Sequence, residues 1–117
     1  MQLPFIVNSI KRALTISDDL RLPEYQGSTN IFKGHCYIAS EAIYHLANDA
    51  GVKLKPMFLY HENSPHWYLM DSQKVLDPTK DQFSTSVDYA KGKGKGFLTK
   101  QPSKRAAELI RRATTGE

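Results

Sequence analysis

The chain has 117 residues, 40% of them apolar and 24% charged, with a formal net charge of +4. That is room for a single domain over residues 1 to 117, with one modest core. No apolar run approaches the roughly 20 residues that span a bilayer, no leader pattern opens the chain, and the lone cysteine, Cys36, has no partner for an internal disulfide. A soluble protein of a reducing cytoplasm, with no membrane contact, is the expectation.

Residues 4 to 15 carry Phe5, Ile6, Ile10, Ala13 and Leu14 at helical spacing, and Pro4 suits a first turn. Residues 18 to 30 are polar, hold Pro23 and Gly27, and read as a connecting loop. The strongest helix covers residues 36 to 50, where Ala39, Ala42, Ile43, Leu46, Ala47 and Ala50 share one face. Gly34 allows a sharp entry to it and Gly51 stops it. Three extended runs follow, at residues 53 to 60, 66 to 70 and 74 to 77. A polar connection at 71 to 73 suggests a hairpin between the last two. The alternating lysines and glycines of residues 91 to 96 read as a flexible, charged loop. A final helix starts near Ser103, which suits a cap, and carries Ala106, Ala107, Leu109 and Ile110. The order predicts an α+β fold, with the central helix packed on a small antiparallel sheet between N- and C-terminal helices.

Charge is uneven along the chain. Residues 91 to 117 hold eight Lys and Arg against two Glu, while residues 1 to 90 hold eight against ten. A basic C-terminal appendage would serve either as a solvating tail or as a contact for nucleic acid or an acidic protein. Its cations are Lys91, Lys93, Lys95, Lys100, Lys104, Arg105, Arg111 and Arg112.

Three reactive side chains fall at element junctions. Cys36 opens the central helix, where unpaired amides and the helix dipole favour a thiolate, the nucleophilic form. His66 opens one strand after a proline, and Asp77 closes the neighbouring strand before another. In a hairpin the start of one strand lies beside the end of the next, so His66 and Asp77 are expected to pair. A carboxylate on one imidazole nitrogen leaves the other to face sulfur. Each residue also has a plainer reading. Cys36 fits a small buried hydrophobe, His66 packing beside Trp67, and Asp77 before Pro78 a turn or helix N-cap. Trp67 suits the core or a cleft wall. His35, His61, Glu62 and His66 lack the spacing of a metal site, and neither metal nor cofactor is expected.

Gly34-His35-Cys36-Tyr37-Ile38-Ala39, Ala50-Gly51-Val52-Lys53, His66-Trp67 and Val75-Leu76-Asp77-Pro78-Thr79 together resemble the transglutaminase-like branch of the papain-like cysteine enzymes. The resemblance covers roughly residues 30 to 83 and extends to Asp81-Gln82-Phe83, as in small bacterial or phage-type members. It implies a papain-like core with Cys36 as nucleophile, His66 as general base and acid, and Asp77 as the orienting carboxylate. By analogy Asn30 is a candidate oxyanion donor, with His35 and Trp67 near the cleft.

The expected function is that of a small cysteine hydrolase or acyl transferase. It would act through an acyl-enzyme on an amide, isopeptide or thioester bond of a protein or peptide-like substrate. A different class of reading is a non-catalytic binding module that works through the basic segment.

Overall fold

The computed structural model describes residues 2–30, 32–97 and 100–115. Residues 98–99 and 116–117 of the basic segment lie outside them. The elements run α1 (Leu3–Leu14), α2 (Cys36–Asp49), β1 (Lys55–His61), β2 (Ser64–Asp71), β3 (Lys74–Leu76), β4 (Lys93–Gly94) and α3 (Lys104–Thr115), with short 3-10 turns in the connections. All strand pairs are antiparallel, in the order β3-β2-β1-β4. The α+β expectation holds, and both hydrophobic helices lie where their periodicity puts them.

Apolar residues at helical spacing make the core. Ile6, Ile10 and Leu14 of α1 meet Ile38, Ala39, Ala42 and Ile43 of α2, all of them buried. Leu69 of β2 joins them from the sheet. The terminal helices α1 and α3 pack chiefly on α2 and on each other, so α2 alone carries most of the helix–sheet contact. Small residues on α2 let both neighbours approach closely. No described helix is long and apolar enough to cross a membrane.

The C-terminal segment is no appendage. Ala106 and Leu109 of α3 are fully buried in the core. Glu41, itself fully buried in α2, accepts hydrogen bonds from the Ser103 amide at 2.6 Å and the Ser103 hydroxyl at 2.8 Å. That hydroxyl in turn caps α3 by accepting from the Ala106 amide at 3.2 Å. Sequence periodicity found the apolar face of α3 but not what receives it.

The sheet contains two consecutive hairpins where one was expected. Glu62 and Asn63 (φ 51° and 61°) make the tight turn between β1 and β2. Two successive positive φ values match the twist of a two-residue hairpin, but without glycine the turn carries no strong sequence signal. The Lys-Gly stretch is also corrected: it is partly strand, with Met57 and Phe58 pairing with Gly94 and Lys93. Backbone hydrogen bonds need no apolar side chains, and the glycines admit close approach. A Cβ at Gly92 would collide with the Tyr68 hydroxyl.

Gly34 turns the chain into α2 with φ 82°, and a Cβ there would lie 2.5 Å from that of Tyr25. Backbone strain and overlap therefore act together. Gly34→Ala is expected to lower stability by about 2 kcal/mol or more. Gly27→Ala, with φ 84° and nothing within 4 Å, should lose only about 1 kcal/mol. Urea denaturation midpoints of the two variants check the difference.

Candidate active site

The local sequence explains how each side chain arrives. Cys36 is the first residue of α2, preceded by His35, whose side chain does not cap the helix. The first-turn amides of α2 lack intrahelical acceptors and their positive dipole end lies beside the sulfur. His66 stands in β2 opposite Leu59 of β1, and Asp77 follows Leu76, which pairs with Leu69 of β2. Antiparallel register thus carries the end of β3 back toward the start of β2.

His66 and Asp77 pair across the hairpin. His66 Nε2 lies 2.6 Å from Asp77 Oδ2, with the imidazole fully buried and the Asp77 side chain 1% exposed. The carboxylate accepts here, so Nε2 carries a proton and Nδ1 is the nitrogen left for the thiol. Cys36 lies near enough to this imidazole to favour its charged form, and its Sγ donates to the Pro65 carbonyl at 3.9 Å. Phe83 meets the ring edge-on at 4.8 Å and Tyr68 stacks at 6.0 Å between centroids, which fixes the ring plane. Burial alone would push His66 toward its neutral form. Hydrogen bonds and charge from Asp77 and Cys36 overcome that and raise its pKa to about 9.

Asp77 fills both of the roles its sequence position suggested. Its Oδ1 accepts from the Thr79 amide at 3.3 Å, a local turn contact, while Oδ2 serves His66. Oδ2 accepts a further hydrogen bond from Tyr89 Oη at 2.7 Å. Burial and the Asp77 contact raise the Tyr89 pKa, which keeps its phenol a donor. Nothing in the sequence signalled Tyr89, which lies twelve residues beyond Asp77 in a polar connection. Gln82 was visible only as half of a Gln-Phe pair. Its Nε2 lies 3.4 Å from His66 Nδ1 and is anchored on the Thr79 carbonyl at 3.1 Å and hydroxyl at 3.0 Å. An amide oxygen in that place would face the Thr79 carbonyl and be repelled, which settles the side-chain orientation.

A cleft of about 490 Å³ opens on the sulfur. Its apolar walls come from Leu22, Tyr25, Tyr37, Trp67 and Phe83, and Gln82 lines it beside Cys36. Lys33, Glu24, Glu62 and Arg105 supply charges of both signs. Trp67 is cleft wall and core at once, packed edge-on against Tyr37 at 4.9 Å.

Asn30 and His35 sit elsewhere. The Asn30 amide donates to the Asp81 carbonyl at 3.1 Å and its Oδ1 accepts from the Phe32 amide at 3.0 Å, so it braces two loops and does not line the cleft. His35 is fully buried, with Nε2 3.1 Å from the Ser17 carbonyl, and supports the α1–α2 connection from inside.

The basic residues divide into two groups. Arg112 makes a two-pronged contact with Asp19 at 2.8 Å and reaches Glu108 at 2.8 Å. Arg111 pairs with Glu108 at 2.7 Å, and Arg105 donates to the Leu20 carbonyl at 2.7 Å. Lys91, Lys93, Lys95, Lys100 and Lys104 are exposed, with Lys95 lying over Phe58 at 4.6 Å from the ring centroid. Among the described residues no cluster of three or more His, Cys, Asp or Glu has the grouping of a metal site.

No protein-family model, no curated protein and no solved structure matches this chain.

Proposed function

We propose that this chain is a small cysteine-dependent acyl-transfer enzyme with a papain-like core, acting on the amide, isopeptide or thioester carbonyl of a protein or peptide-like substrate. One observation carries the reading: a buried imidazole bonded through Nε2 to Asp77 at 2.6 Å has its charge favoured by a helix-start thiol that lines a cleft.

In this mechanism the thiol proton passes to His66 Nδ1 and the Cys36 sulfur attacks the substrate carbonyl carbon. First-turn amides of α2 face the developing oxyanion. Collapse breaks the bond to the leaving group, which takes the proton from Nδ1, and leaves a thioester on Cys36. Asp77 holds the tautomer and orientation throughout. Tyr89 and Thr79 hold Asp77. The α3 arginines are tied to Asp19, Glu108 and Leu20, which weighs against a basic segment given over to a polyanion.

An activated ester tests the proposal without a known substrate. p-Nitrophenyl acetate is expected to give a stoichiometric burst of nitrophenolate and an acetyl group on Cys36, detected by intact mass. Cys36→Ala and His66→Ala should give no burst. A wild-type thiol that acetylates only after denaturation would overturn the reading.

A further inference from the structure

The acyl-enzyme of the proposed mechanism still has to be resolved, by water or by an amine. The side chain beside the proton-carrying nitrogen bears on that choice. Gln82 Nε2 has two hydrogens. The Thr79 carbonyl at 3.1 Å takes one, and the other lies between the Thr79 hydroxyl at 3.0 Å and His66 Nδ1 at 3.4 Å. Gln82 also lines the cleft with Cys36. The group that attacks a thioester on Cys36 must hand its proton to Nδ1, so it stands within reach of the Gln82 N–H.

That N–H discriminates between nucleophiles by counting lone pairs. A water oxygen has two: one accepts from Gln82 and the other attacks carbon. An amine nitrogen has one, and accepting a hydrogen bond with it removes the nucleophile. We propose that Gln82 is a further catalytic residue, the donor that orients the deacylating water, and that it commits this site to hydrolysis over transfer to amines.

The step balances within the site. Water oxygen bonds to the thioester carbon while one of its protons moves to neutral His66 Nδ1 and the carbonyl π pair moves onto oxygen. Collapse of the tetrahedral intermediate breaks the carbon–sulfur bond, and its electron pair returns to Cys36. The products are a carboxylic acid and a thiolate beside an imidazolium. The inference rests on the acyl-transfer reading above, and its test is the fate of the acetyl group once formed.

Wild type, Gln82→Met and Gln82→Asn would be acetylated with p-nitrophenyl acetate, then left in buffer or in glycinamide. The Met variant keeps the length without a donor, and the Asn variant keeps an amide but falls short of Nδ1. In both, acetylation of Cys36 is expected to slow less than deacylation does. Hydrolysis of the acetyl-enzyme should slow by roughly tenfold or more, the scale on which a positioned polar group acts in catalysis. The share of product appearing as N-acetylglycinamide should rise in both variants. A parallel loss of both steps would make Gln82 a brace for the Thr79 turn and overturn the proposal, as would unchanged hydrolysis and partition. A wild-type chain that never acetylates would instead remove the acyl-transfer reading, and this inference with it.

Discussion

His66→Ala will slow iodoacetamide alkylation of Cys36 at pH 6 by roughly a hundredfold. A thiol with the ordinary pKa of about 8.5 is less than about 1% ionised at that pH. In the proposed mechanism the thiol proton passes to His66, and the thiolate so formed is the species that iodoacetamide alkylates. The effect depends on the ring and not on general burial, since Cys36 is only partly buried. Rates measured from pH 5 to 10 would give a curve with a low-pH limb in wild type, and the variant should lose that limb. Equal rates for both chains at pH 6 would show that the imidazole does not activate the sulfur. Asp77→Asn is expected to fall between the two. It keeps a side chain of the same size near Nε2 but gives up the charge that favours imidazolium.

Stability should carry the signature of the same pair. A histidine raised to about 9 in the fold, from an ordinary 6.5, binds a proton more tightly when folded. Its stabilising contribution is fully present below the unfolded value and is lost as pH rises through the folded one. Wild type is a poor place to measure this, because Cys36 beside the ring is a second ionisable group coupled to it. Cys36→Ser removes that second member. It also removes one of the causes of the shift, so Asp77 alone holds the His66 pKa up. Cys36→Ser is expected to lose about 2 kcal/mol between pH 6 and 9 relative to a chain that also carries Asp77→Asn. Urea unfolding of the two chains across that range gives the difference directly. Parallel curves would mean that Asp77 does not hold the proton on His66.

Much of this site was legible because its residues sit where secondary structure changes. Cys36 begins α2 at the residue the apolar spacing indicated, and the short β2–β3 connection was enough to bring His66 to Asp77. Such contacts follow from register, which alternation and turns encode locally. Tyr89 and Gln82 were not legible as site residues for the opposite reason. Each arrives through a 3-10 turn in a polar connection, where neither period nor composition says which way a side chain points. Asn30 failed as an oxyanion candidate on similar grounds: its amide is consumed by the Asp81 carbonyl, a partner 51 residues away. β4 went unseen because a two-residue edge strand needs only backbone groups. The charge count misled most about α3, since it took no account of Asp19 waiting for Arg112, of Glu41 waiting for Ser103 or of the core waiting for its apolar face.

The grip of Glu41 on Ser103 has a consequence for how the molecule comes into being. It spans 62 residues, and the contacts of Arg105 with Leu20 and of Arg112 with Asp19 span 85 and 93. Long loops must close before such contacts stabilise anything, so folding is expected to be slow and concerted. On the ribosome, cysteine, histidine and aspartate all emerge before α3 exists. The inner faces of α1 and α2 stay uncovered until it docks, and Arg105 takes its place beside the cleft only then. A nascent chain therefore carries Cys36, His66 and Asp77 before α3 closes over the core that holds them in place.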